Sequence, residues 1–181
     1  MNISRSIVFW LSRKPWCIGI MTWAVGRWMN RSEEGRHLLH FYHLEDLAKV
    51  AYARDDFEKT ERLARELLDT AKAYPDDWNY GNAIHHGHRF LGQTALMRND
   101  LAAAKSELIQ SAQTPGSPQL NSFGPNMHLA RLLIERGEKD VVVEYLGMCR
   151  SFWKMHPERI DRWIADVETG RVPEFGPNIN Y

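Results

Sequence analysis

The stretch "RFLGQTALMRNDLAAAKSELIQSA" (Arg89–Ala112) decides how the rest of the chain is read. Leu91 is followed by the small residue Gly92, and Ala95 comes four positions after Leu91, so Leu91 and Ala95 share one helical face. Asn99-Asp100 then supplies a turn and a helix-capping side chain. Beyond it, Ala104 and Leu108 resume the helical period. The stretch reads as two helices joined by a tight turn, with small residues where the helices meet.

Two further segments overlay on it. They are "DLAKVAYARDDFEKTERLARELL" (Asp46–Leu68) and "MHLARLLIERGEKDVVVEYLGMC" (Met127–Cys149). Each has Leu and a small residue (Leu47-Ala48, Leu129-Ala130), then Ala51 or Leu133 four positions after the Leu. A turn follows at Asp55-Asp56 or Gly137-Glu138, and then a second amphipathic helix. Val142 and Leu146 fall at the offsets of Ala104 and Leu108, whereas Thr60 and Ala64 take those places in the first copy. Self-similarity of this kind is the mark of a helical-repeat architecture.

The surrounding sequence agrees. In "FEKTERLARELLDTAKAY", Phe57, Leu63, Ala64, Leu67, Leu68, Ala71 and Tyr74 follow a helical spacing, with Glu58/Arg62 and Glu61/Arg65 as pairs on the wet face. "VVVEYLGMCRSFW" does the same with Val142, Tyr145, Leu146, Cys149, Phe152 and Trp153. "PERIDRWIADVET" opens on Pro157, buries Ile160, Trp163, Ile164 and Val167, and stops at Gly170. No stretch alternates apolar and polar residues long enough to make a strand, so the expected class is all-α.

The hairpins resemble the tetratricopeptide repeat, a helix-turn-helix unit whose small residues let its two helices approach closely. The second copy carries the motif most fully, at Leu91, Gly92, Asp100, Ala104 and Leu108. The spacing between copies exceeds the family's roughly 34 residues, and the excess falls in "YPDDWNYGNA" and "TPGSPQLNSFG". "DDWNYGNAIHHG" and "TPGSPQLNSFGPNM" are similar to stretches in a group of uncharacterised bacterial proteins of this repeat type, over roughly residues 76–181. The resemblance implies an α-solenoid of about three degenerate repeats with capping helices. It implies no activity. It implies instead a protein or peptide partner, held in a concave groove lined by the first helix of each pair. The residues so placed are Tyr42, Glu45, Lys49 and Tyr52, then His86, Arg89, Gln93 and Met97, then Met127, Arg131, Ile134 and Glu135. Aromatic, Arg and Met side chains are the types that anchor interfaces.

Composition bounds the alternatives. A chain of 181 residues is large enough to bury its own core without cross-links. Lys plus Arg and Asp plus Glu are both 23, so the basic excess that nucleic acid would demand is absent. Cys17 and Cys149 are the only cysteines and lack a CxxC spacing, which excludes a disulfide framework or zinc knuckle and points to a reducing, cytoplasmic setting. Residues 1–35 form an apolar, aromatic helical segment, cut by Arg13 and Lys14; its unbroken part is about half of what a spanning helix needs. The alternative there is a membrane anchor or an export signal, and membrane contact is expected only through residues 1–30. The repeat domain covers 36–170, and 171–181 is a terminal arm.

For chemistry, the densest polar cluster is "DDWNYGNAIHHGHRF". An enzyme site at Asn79, Asn82, His85, His86 and His88 is the alternative function. With a helix starting near Asn82 and capped by Asn79 or Asn82, His85 and His88 share a face and His86 points away. The position four after His85 is Arg89, which opposes a metal ion, so no metal and no cofactor is expected. No phosphate loop, dinucleotide fingerprint or nucleophile elbow occurs, and no catalytic residue is assigned.

One tetrapeptide, Phe-Gly-Pro-Asn, appears twice: Phe123–Asn126 and Phe175–Asn178. In the middle it reads as the start of a helix, with Pro125 at the first position and Phe123 stapled back onto it. In the tail, Pro173 and Pro177 oppose a helix, while Val172, Phe175, Ile179 and Tyr181 are too apolar for a free end. The tail is expected to fold back as an extended arm turning at Gly176-Pro177.

Overall fold

The computed structural model describes residues 32–179, and the expectations for 1–31 and for Tyr181 lie outside them. Among the described residues the protein is all-α, with eight helices, one terminal 3-10 turn and no strand. The helices are α1 (Glu33–Tyr52), α2 (Phe57–Ala71), α3 (Tyr80–Met97) and α4 (Leu101–Ala112). They continue as α5 (Pro118–Phe123), α6 (His128–Glu135), α7 (Lys139–Cys149) and α8 (Pro157–Glu168), and the 3-10 turn spans Gly176–Ile179. The chain divides into two compact units, Met1–Tyr42 and His43–Tyr181, the boundary falling inside α1. Within the described part of the first, Ser32 Oγ accepts from Gly35 N–H at 2.9 Å, and Glu33 and Glu34 face the positive end of the helix.

The turns between α1 and α2, α3 and α4, and α6 and α7 are built alike. Asp55, Asn99 and Gly137 each adopt positive φ, at 57°, 60° and 85°. Asp and Asn are the side-chain-bearing residues that tolerate this conformation best, and Gly bears it freely. The next residue closes the preceding helix: Asp56 N donates to Ala51 O, Asp100 N to Ala95 O and Glu138 N to Leu133 O, at 2.9–3.0 Å. The inner bonds match too, Asp55 N to Tyr52 O, Asn99 N to Leu96 O and Gly137 N to Ile134 O. This is the Schellman pattern, made three times at the aligned positions. The same acidic residue then begins the following helix. Asp56 Oδ1 accepts from Lys59 N (3.1 Å) and Asp100 Oδ1 from Ala103 N (2.9 Å). Glu138 caps no backbone group with its side chain; its carboxylate goes to Lys105 Nζ at 2.8 Å.

Helix α3 is the centre. It packs on α2 and α4 and is also touched by α5 and α6. Close approach is made possible by its glycines. A Cβ at Gly92 would stand 2.3 Å from Leu129 Cδ2, and one at Gly81 only 1.9 Å from the carbonyl oxygen of Gly116. An apolar core lies further along the chain, around Leu108, Met127, Leu133, Tyr145, Trp153 and Trp163. Cys149 is fully buried within it, and burial pushes its thiol pKa up, which leaves it unreactive.

The middle Phe-Gly-Pro-Asn corrects the sequence reading. Phe123 ends the short helix α5, Gly124 takes φ 84°, and α6 starts only at His128. Phe123 is 64% exposed and staples nothing. Gly124 instead lies flat on Trp153, where a Cβ would come within 2.5 Å of the indole, and Asn126 Oδ1 accepts from His128 N at 2.9 Å. The linker that precedes it also carries structure, because Ser117 caps α5 and Pro118 follows at its first position.

Candidate functional site

Because α3 is covered by four neighbours, polar side chains on it are buried and each must find a partner. Its buried polar residues are Asn82, His85, His86, Arg89, Gln93 and Thr94. They divide among separate tasks.

His85 is a cross-brace. Its Nδ1 donates to Ser111 O at the end of α4 (3.1 Å), and its Nε2 accepts from Asn126 N (3.0 Å). Both ring nitrogens are thereby committed in the neutral form. Burial is the main reason that its pKa falls to about 3, the bond to Ser111 opposing and Arg89 and His88 assisting. Asn82 works one turn earlier. Its amide donates to Asn79 Oδ1 (3.0 Å) and Gln119 Oε1 (3.4 Å), while its Oδ1 accepts from the Ser117 hydroxyl. Asn79 stands at the N-cap position before Tyr80, but its side chain caps no backbone N–H. Thr114 adds a bond to Gly81 O at 2.9 Å. Together these groups stitch the linker after α4 to the start of α3. His88, on the same face of α3 as His85, meets Glu107 one turn earlier on α4 at 2.7 Å.

His86 departs from the sequence reading. Its ring is not turned away from His85 but lies against it edge-on, centroids 4.9 Å apart. It belongs to a strip that runs across the first helices of all three hairpins. His86 Nε2 lies 3.4 Å from Glu45 Oε1 on α1, and its Nδ1 accepts from Arg89 Nε at 3.3 Å. Arg89 Nη1 donates to Gln93 Oε1 (3.1 Å), and the Gln93 amide reaches His128 Nδ1 at the start of α6 (2.7 Å). Tyr52 closes the far end, its ring 5.9 Å from His128 and 6.3 Å from Phe90. The Arg89 guanidinium rests on Phe90 at 3.8 Å.

The strip's electrostatics follow from its crowding. Glu45 keeps 26% of its side-chain surface in water, yet loss of solvation raises its pKa to about 7, with Arg89 only partly offsetting. Burial first, then His85 and Arg89, hold His86 well below its ordinary value. His128 is lowered by burial and then by Arg89 and Arg131, and burial raises Tyr52. Near neutrality His86 and His128 are therefore uncharged, and Glu45 is poised between its two forms.

Of the residues expected in a groove, Glu45, Tyr52, His86, Arg89 and Gln93 meet in this strip. His86, Arg89, Gln93, Met127 and Ile134 are buried, Glu45 and Tyr52 half-buried, and Lys49, Met97, Arg131 and Glu135 exposed. Arg131 Nε is paired with Glu135 at 2.8 Å. Tyr42 belongs to the other unit, where it packs beside Phe41. Of the alternative polar site, Asn79 and Asn82 serve the linker, and the three histidines take three different sets of partners. Sequence reasoning missed Glu107, Ser111, Gln119 and Asn126 as the partners of these side chains. Nothing local in the sequence marks them, since each lies 19 or more positions from the residue it serves.

Among the described residues, no group of three or more His, Cys, Asp or Glu side chains is placed to hold a metal ion. None of the described helices is long and apolar enough to cross a membrane. No protein-family model, curated protein or solved structure matches the chain.

Proposed function

We propose that this chain is a tetratricopeptide-like helical-repeat module that binds a protein or peptide partner, as an adaptor, chaperone or inhibitor. The observation that carries the reading is the strip itself. One series of polar contacts, Glu45–His86–Arg89–Gln93–His128, hydrogen-bonded from His86 onward, links the first helices of three successive hairpins. Those are the helices that line the binding face in repeats of this kind. Exposed Lys49 and Arg131 flank it, each close enough to act on a strip histidine. A partner segment of mixed charge would meet the half-buried Glu45, Tyr52 and His128, held in place by the buried His86, Arg89 and Gln93 beneath them, and the exposed charges of Lys49 and Arg131 at the rim. Net charge of zero argues for such a partner rather than nucleic acid.

The test is selection of peptides that bind the wild-type chain, followed by titration against two variants. Lys49→Glu combined with Arg131→Glu inverts the rim and is expected to weaken binding roughly tenfold or more. Lys72→Glu, at the C-cap just beyond helix α2, is expected to leave it unchanged. The opposite ranking would remove the strip from consideration as the binding face.

A further inference from the structure

The repeated tetrapeptide docks on itself. The side-chain amide of Asn178 donates to Phe123 O and to Pro125 O, both at 2.9 Å, and its backbone carbonyl accepts from Met127 N at 2.7 Å. Asn126 Nδ2 reaches Ile179 O at 3.5 Å. Three residues before Asn178, the Phe175 ring meets Trp163 edge-to-face at 5.0 Å, and Trp163 Nε1 donates to Glu174 O at 3.2 Å. Phe175 and Asn178 are 2% and 0% exposed, whereas Gly176 and Pro177 between them are open to solvent. The arrangement has the features of peptide recognition. The arm is not extended throughout, as the sequence suggested, but closes into the 3-10 turn Gly176–Ile179. Main-chain groups fix the direction of the segment, and two pockets read its side chains. The loop Phe123–Met127 reads Asn, and the indole of Trp163 reads Phe.

The receiving surface is held independently of the arm. Gly124 is pressed onto Trp153, Asn126 N is bonded to His85, and Trp153 stacks at 5.4 Å on Trp163. Arg159 lies over both indoles, at 5.5 and 5.2 Å. The arm starts at Gly170, with φ 83°, and at Arg171, which is tied to Asp166 of α8 by its backbone N–H (2.9 Å) and its guanidinium (2.7 Å); Gly170, Arg171 and Val172 are all exposed. Phe123 on the receiving loop and Val172 at the start of the arm remain 64% and 49% exposed, so some apolar surface stays uncovered at each.

We propose that this seat is a peptide-binding site for a segment carrying Phe and, three residues later across a 3-10 turn, Asn, and that it takes that segment from a second copy of this chain by exchange of arms. The segment of known fit is the chain's own, and each copy offers both seat and arm, which is the condition for a reciprocal exchange. The site is distinct from the strip around Arg89 and does not rest on the binding function proposed above.

The experiment uses the full chain and a labelled synthetic peptide of residues 171–181. A chain carrying Asn178→Ala has a weakened arm and an intact seat, and is expected to bind the peptide with at least roughly tenfold higher affinity than the wild type, whose tethered arm competes at high effective concentration. The same peptide with Phe175→Ala or Asn178→Ala is expected to lose that binding. Sedimentation of the wild-type chain is expected to show a concentration-dependent dimer that Asn178→Ala abolishes, and this arm stands even where the variant proves too unstable for titration. A wild-type chain that stays monomeric at all concentrations, or a folded Asn178→Ala chain that ignores the peptide, would overturn the proposal.

Discussion

Replacing His85 by Gln tests the central packing of the molecule through its pH dependence. The imidazole is fully buried, gives one hydrogen bond to Ser111 O and receives one from Asn126 N, and is held neutral with a pKa of about 3 against an ordinary 6.5. The unfolded chain takes up a proton on this ring as pH falls through about 6.5, and the folded chain does not. What the neutral ring contributes is thus complete above its unfolded pKa and declines as pH drops toward the folded one. The slope is about 1.4 kcal/mol per pH unit, or about 2 kcal/mol between pH 6.5 and pH 5. Glu45 works in the opposite sense, since its raised pKa of about 7 removes stability as pH climbs from 4.5 to 7. Subtraction of the two proteins cancels that contribution and the larger part of the one from His86, which comes from burial; the smaller part that His85 imposes on His86 stays in the difference. Gln at position 85 keeps one of the two bonds at best and should cost about 1–3 kcal/mol at pH 7.5. It cannot charge, so the gap to the wild type should shrink as acid is added and nearly close by about pH 5. Urea unfolding followed by far-ultraviolet circular dichroism at a series of pH values measures the gap directly. A gap that stays constant across this range would mean that the ring titrates normally and that the cross-brace is not made.

Other substitutions probe single contacts. Gly92→Leu should cost about 1–3 kcal/mol, because even its Cβ would lie 2.3 Å from Leu129 Cδ2; an unchanged denaturation midpoint would refute the packing of α3 on α6. Gly81→Ala should cost as much or more, about 1–3 kcal/mol, since the obstacle is the Gly116 carbonyl and backbone cannot rotate aside. Thermal melts are sufficient to read it, and a neutral result would detach the Thr114–Gly116 linker from α3. Asn178→Ala leaves Phe123 O and Pro125 O without their donor and should cost about 1–3 kcal/mol, with faster hydrogen exchange at Met127 N–H. Slow exchange there in the variant would show that the arm is held by other groups.

What the sequence by itself determined was set by short-range rules. The helical class followed from periodicity, and the three hairpin turns at Asp55, Asn99 and Gly137 were legible because left-handed backbone and capping are properties of neighbouring residues. The aligned leucines likewise placed Glu45, His86, Arg89 and Gln93 on comparable faces of their helices. That Phe175 needed cover could be read from its apolar character in a terminal tail. Tertiary structure decided everything that required two distant segments to meet. Whether His86 faces water or Glu45 depends on how α1 lies on α3, and the charge states of both follow from burial that composition cannot report. The first Phe-Gly-Pro-Asn has a local reading as the start of a helix, and that reading failed. Its backbone is instead spent on Trp153, on His85 and on the second copy of itself, whose Asn178 lies 53 positions from Pro125 and 55 from Phe123. Hydrogen-bonding capacity is written in the residue; the partner that uses it is supplied only when the chain has folded.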